Sequence, residues 1–167
     1  MKTDMKNSGF TLIELLVAIV IIGILLAIGT INFSQWSRKA NMEAQVKQMY
    51  ADALSAKIDA MHRKVQLNLN IYVNTDSYDI RDGAGTVVLP LKTVRFPVTT
   101  SAGAGNNLSL AFDINGLKTA PTTTQTICLE VNDPALAYDT IIIDAVKVNL
   151  AKRNPGGACA PANCTVR

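Results

Sequence analysis

The hydrophobic positions of the chain change period twice. From Phe10 to Phe33 they are nearly continuous: Leu15 to Gly29 is unbroken, and only Thr11, Glu14, Thr30 and Asn32 interrupt the wider stretch. Twenty-four helical residues rise about 36 Å, enough to cross a bilayer. From Ser34 onward the apolar positions become one-sided. Tyr50, Leu54, Ile58, Met61 and Val65 recur at steps of four, four, three and four, while Lys47, Asp52, Lys57, Asp59 and Arg63 take the other side. That spacing predicts an amphipathic helix resting on something. No Pro or Gly interrupts Ser34 to Lys64, and Arg63 and Lys64 suit a helix C-terminus. One continuous helix is therefore predicted from Phe10 to Lys64.

Beyond it the period falls to two. In "LNLNIYVN", Leu67, Leu69, Ile71 and Val73 alternate with Asn68, Asn70, Tyr72 and Asn74, a half-buried strand. "LSLAFDI" repeats the pattern with Leu108, Leu110, Phe112 and Ile114, and Asn115-Gly116 follows as a hairpin signal. Further strands are expected at Thr86–Leu89, Val94–Val98, Thr126–Val131 and Thr140–Leu150. Loops are expected at "TDSYDIRDGAG", at Gly103 and Gly105, at "TAPTTTQT" and at Asn154-Pro155-Gly156-Gly157. The fold class predicted is α+β. A long N-terminal helix, membrane-spanning over 10–33 and amphipathic over 34–65, packs on an antiparallel β-sheet domain over 66–167.

Composition adds less. The chain has 167 residues and a net charge of +3, so the part beyond the apolar segment is long enough for one domain with a core. The charge is uneven: Phe10 to Asp144 holds ten basic and twelve acidic residues, whereas Ala145 to Arg167 holds Lys147, Lys152, Arg153 and Arg167 with no acid. Those four are the candidate phosphate contacts if the tail binds DNA; a solvated C-terminus is the plainer reading. No aromatic residue follows Tyr138 to stack on bases, so such binding would be sequence-independent. The single histidine, His62, lies on the charged part of the helix and suggests a surface residue, not a metal ligand. Asp76, Asp79 and Asp82 lack the order and the distal Glu of a calcium loop. The sequence contains no nucleophile elbow, zinc-binding HExxH, phosphate-binding loop or GxGxxG motif, so neither an enzyme nor a cofactor is expected.

The apolar segment poses one chemical problem. Glu14 is its fifth residue, and a carboxylate in hydrocarbon is costly unless a cation meets it or it caps its own helix. An ordinary secretory signal would have a shorter apolar core, although Ala27-Ile28-Gly29 imitates a cleavage site. The stretch "SGFTLIELLVAIVIIGILLAIG" resembles the N-terminus of type IV pilins and type II secretion pseudopilins: a short charged leader, Gly before the cut, Phe after it, and Glu four positions later. The resemblance implies that residues 1–9 are a leader. Prepilin peptidase would cut between Gly9 and Phe10 and methylate the new amine of Phe10. The segment then anchors the chain in the inner membrane, with the C-terminal domain outside the cytoplasm. From there it enters a helical filament with other pilins or pseudopilins through an inner-membrane assembly platform. Glu14 would then meet the Phe10 amine of a neighbouring subunit.

Many pilins carry a Pro near the outer end of this segment, whereas here Gly29-Thr30 occupies that region. The strand-rich C-terminal part is most like a minor pilin or minor pseudopilin. Three readings fit the resemblance: a minor pilus subunit that joins or primes a filament, a minor pseudopilin, and a DNA-binding minor pilin for DNA uptake. Outside the cytoplasm disulfides persist. Cys128, Cys159 and Cys164 are three, so one is left over. Either Cys159–Cys164 closes a small local loop, or Cys128 reaches one of the two and ties down the tail.

Overall fold

The computed structural model of the chain describes residues 10–103 and 105–167, without the side chains of 27–32. Its elements are α1 (Leu12–Arg63), β1 (Leu67–Tyr72), β2 (Ser77–Asp82), β3 (Val87–Thr93), β4 (Val98–Thr100), β5 (Leu108–Phe112), β6 (Lys118–Ala120), β7 (Gln125–Leu129), β8 (Thr140–Ile143), β9 (Val148–Arg153) and β10 (Cys164–Val166). The backbone of α1 passes Gly29-Thr30 without a break. It ends at Arg63 because Lys64 turns left-handed, at φ 56°, and His62 and Arg63 complement the helix dipole in the last turn. Two compact units divide between Arg38 and Lys39.

In the second unit the buried stripe of α1 differs from the predicted one. Met42, Val46, Met49, Ala53, Ala56 and Ala60 face the core, at steps of four, three, four, three and four. Tyr50 and Leu54 pack at its border, while Ile58 and Val65 are exposed. The stripe is narrow, and three alanines carry too little hydrophobicity to mark it in the sequence. Gly116, in the turn between β5 and β6, packs against the end of the same helix. It has φ +72°, and a Cβ there would lie 2.9 Å from Met61 Cγ and Sδ.

The expected single sheet is two, both antiparallel. The first runs β3-β2-β1-β5-β6 and the second β10-β9-β8-β7-β4. Leu67, Leu69 and Ile71 of β1, Ile80 of β2 and Leu108, Leu110 and Phe112 of β5 join the α1 stripe in one core, with Val98, Ile127, Leu129, Ile141, Ile143 and Val148 of the second sheet. "TDSYDIRDGAG" is not all loop, since β2 lies inside it. Tyr78 and Ile80 turn inward, and Ser77, Asp79 and Arg81, whose polarity disguised the strand, lie on the other side, where Asp79 accepts from the Asn70 amide at 2.8 Å. Thr140–Leu150 is a hairpin, not one strand. Its turn closes with Asp144 N–H donating to the Lys147 carbonyl at 2.8 Å, through residues that carry no Gly or Pro signal. Residues 94–97 are a connection, held to α1 by Gln45. The Gln45 amide donates to the Phe96 carbonyl at 2.7 Å and accepts from the Phe96 N–H at 2.9 Å. In the same way the Glu43 carboxylate accepts from the Ala137 N–H at 2.8 Å.

All five positions of β7 and all four of β8 are buried, so both faces of these strands are covered. One face meets the core. Against the other lies the chain after β9, tied by a disulfide between Cys128 and Cys159. The Thr126 hydroxyl donates to Cys159 Sγ at 3.4 Å.

Candidate functional site

The helix begins with a Thr-x-x-Glu sequence, and the two side chains cap it reciprocally. The Thr11 N–H and hydroxyl both donate to Glu14 Oε2, at 3.0 and 2.9 Å. The Glu14 N–H donates back to Thr11 Oγ1 at 3.3 Å. Four backbone N–H groups at a helix start lack intrahelical partners, and a carboxylate there is also favoured by the dipole. In the lone chain, then, Glu14 serves its own helix terminus. Sequence reasoning missed Thr11, although the Thr-x-x-Glu spacing is a legible capping signal. Phe10 beside it is 89% exposed. Gly9, the expected cleavage position, lies outside the described residues.

Beyond the cap the helix has no polar side to rest in water. Among the large apolar side chains from Leu12 to Leu26 none is less than 47% exposed. Residues three, four and seven apart are equally bare, so the surface is apolar around the whole circumference. Among the described residues no helix is long and apolar enough to cross a membrane. The side chains of residues 27–32 lie outside the described residues.

The other candidate residues fall elsewhere. Cys128 bonds Cys159, with Cα atoms 5.9 Å apart, and Cys164 keeps a free thiol whose Sγ donates to the Ala160 carbonyl. Burial pushes that thiol up from its ordinary pKa, and hydrogen bonding by Thr140 opposes the push. Register explains the choice of partner. Cys164 sits opposite Arg153 on the outermost strand of the second sheet, with β9 and β8 between it and β7. The basic tail is not a single solvated patch. Lys152 Nζ donates to the buried Asp139 carboxylate at 2.9 Å and to the Asp133 carbonyl at 2.6 Å. Arg153 is 5% exposed and donates through Nη2 to the Leu129 carbonyl at 2.7 Å. Lys147 and Arg167 are exposed. Of the four candidate phosphate contacts, Lys152 and Arg153 are neither solvated nor free, being paired within the domain. These two are structural: they close β9 onto the β7–β8 connection.

The acidic trio of the faint calcium motif is also dispersed. Asp76 is left-handed at φ 44° and accepts from the Val98 N–H at 3.2 Å. Asp79 is buried and paired with Arg81 at 2.8 Å. Asp82 accepts from the Thr86 and Ala84 N–H groups, which hold its carboxyl below the usual range. His62 is exposed. Among the described residues no group of three or more His, Cys, Asp or Glu side chains is placed to hold a metal ion.

Both the capped N-terminus and the fold behind it have counterparts among known proteins. Residues 4–30 match the model of the prokaryotic N-terminal methylation motif. The chain is similar in fold to the solved structure of the type IV minor pilin FimU of Pseudomonas aeruginosa, strain PAO1. That likeness has a TM-score of 0.50 at 14% identity and covers 69% of this chain and 91% of the other. Among curated proteins none matches the chain.

Proposed function

We propose that this chain, a type IV pilin-like protein by its N-terminal methylation motif and its fold, is a minor subunit that joins or primes a type IV pilus. The observation that carries the reading is the bare apolar circumference from Leu12 to Leu26. A soluble protein rarely leaves so large a contiguous apolar surface to water, and this one needs lipid first and neighbouring helices afterwards. In the proposed sequence of events, prepilin peptidase removes residues 1–9 and methylates Phe10. The segment 10–33 holds the chain in the inner membrane. The assembly platform then moves it among other pilins. Glu14 is the group that makes the second environment preferable. A carboxylate surrounded by apolar helices is costly alone and tolerable beside a cation, which the amine of a neighbour's Phe10 supplies. The Thr11 cap holds Glu14 in the first turn until that exchange. The likeness to a minor pilin supports a minor place in the filament.

The same chemistry would serve a minor pseudopilin of type II secretion. The DNA-uptake reading loses support, because Lys152 and Arg153 are committed inside the domain and only Lys147 and Arg167 are exposed. Mass spectrometry of filament-borne protein is the direct test. The mature chain should begin at N-methyl-Phe10, and Gly9→Val should leave a membrane-bound precursor absent from filaments. Filament-borne chains that still begin at Met1 would overturn the proposal.

A further inference from the structure

We propose that Phe33, Trp36 and Arg38 form an interfacial anchor that fixes how deep the apolar segment sits in the bilayer before assembly. The inference rests on the membrane anchoring proposed above and adds to it a depth and the residues that set it. Phe33 and Trp36 are three apart on α1 and therefore share a face. Their ring centroids are 6.1 Å apart with planes inclined at 38°, and each side chain is 66% exposed. A pair of large aromatic rings facing outward from a helix gains nothing from water. Trp is the side chain that prefers the membrane–water boundary, with its ring among acyl chains and its N–H among headgroups.

The spacing commits the occupant to lipid. From Leu15 to Ser37 there is no charged residue, and the run ends at Arg38. Glu14 and Trp36 are twenty-two residues apart, about 33 Å along a helix, against a hydrocarbon core of about 30 Å. With Glu14 at one boundary, Trp36 therefore falls at the other. Arg38 lies just beyond it, where a long side chain can reach lipid phosphate while its stem stays on apolar surface. A neighbouring protein helix would need no such match between the length of the segment and the thickness of a bilayer.

Trp36 is the only tryptophan, so the full chain carries its own probe. The chain is placed in vesicles of phosphatidylcholine and phosphatidylglycerol whose acyl chains are brominated at shallow or deep positions, and Trp fluorescence is read. The emission should be blue-shifted from that of tryptophan in buffer and quenched most by the shallow bromines. In Phe33→Trp/Trp36→Phe the probe moves about 4.5 Å inward, and quenching should shift toward the deeper bromines. An embedded chain whose Trp36 is quenched most at the bilayer centre, or by no brominated lipid, overturns the inference alone. A chain stripped from the vesicles by alkaline wash overturns the anchoring itself, and the inference with it.

Discussion

The two halves of α1 solve opposite problems with the same secondary structure. From Leu15 to Leu26 the large side chains are aliphatic and bare on every side. From Met42 to Ala60 the buried positions are two methionines, one valine and three alanines, on one narrow stripe. The second half meets its partner inside the chain, so only one narrow stripe of it is buried, in a core shared with the strands. The first half has no partner within the described chain, and nothing selects one face over another. Total hydrophobicity is thus a poor guide to which part of a helix is core. The greasiest half is the one the monomer leaves outside.

Breaking the contact proposed for the first half should give the largest effect. Glu14→Ala should be processed normally and remain in the membrane, yet be almost lost from sheared filaments. Glu14→Asp, charged but shorter, should fall between it and the parent. Immunoblots of sheared filaments against whole cells measure this, and parental levels of Glu14→Ala in filaments would remove the intersubunit charge pair. The comparison sharpens when an apolar side chain is cut in each half. Met42→Ala should lower the unfolding free energy of the domain by about 2–5 kcal/mol, as truncation of a buried side chain does. Leu16→Ala, removed from an exposed position, should change it by less than about 0.5 kcal/mol. Thermal denaturation of the full chain in detergent reads both.

An effect of similar size to that of Met42→Ala should come from the tail. Cys128→Ser releases a cross-link spanning 31 residues, and the domain should lose about 3–4 kcal/mol by the chain-entropy estimate. A chain beginning at Ser34 should remain soluble and helical, and it gives the clean measurement. Chemical denaturation of that domain with and without the substitution decides the value.

The smallest effect is a pH dependence centred on Asp52, on the second half of α1. Burial pushes this carboxyl up. Hydrogen bonds from Lys92 at 2.8 Å, Tyr78 at 2.6 Å and Gln48 at 3.1 Å outweigh the burial and hold it below its ordinary range. A carboxyl lowered on folding stabilises the fold above its unfolded value, about 3.9, and loses that contribution as pH falls through the lowered one. Asp52→Asn should therefore be less stable than the parent near neutrality and lose less on acidification. Melting temperatures of the two domains should converge as pH falls from about 6 to about 2. Parallel curves would mean that Asp52 titrates alike in the folded and unfolded chains.

Much of the fold is legible in the sequence. The period change near Phe33, the end of α1 near Lys64 and the strands β1 and β5 come from spacing alone, because each buries one face against a common core. The features that spacing conceals are local and specific. β2 is hidden because Ser77, Asp79 and Arg81 place polar groups on the sheet's outer face, where Asn70, Tyr72 and Arg81 all bond Asp79. The β8–β9 turn is hidden because it closes without Gly or Pro. At the N-terminus the residues named for cleavage and assembly are readable as a motif. The cap that Thr11 gives Glu14 is readable too, as a spacing, but the cost of a carboxylate in hydrocarbon draws attention to Glu14 alone.

The sequence by itself determined that the chain opens with an apolar helix carrying one acid, and that this helix continues as an amphipathic support for strands. Those are properties of consecutive residues, written in the periods of α-helix and β-strand. Only the tertiary structure decided which stripe of α1 is core, since alanine is buried or exposed according to what lies opposite it. Only the sheet register decided that Cys159 and not Cys164 bonds Cys128, since equal chemistry and similar loop lengths gave no preference. And only packing decided that Lys152 and Arg153 are internal partners of Asp139 and the Leu129 carbonyl. A charge declares its sign in the sequence, but whether water or a buried acceptor meets it depends on residues brought alongside from elsewhere in the chain.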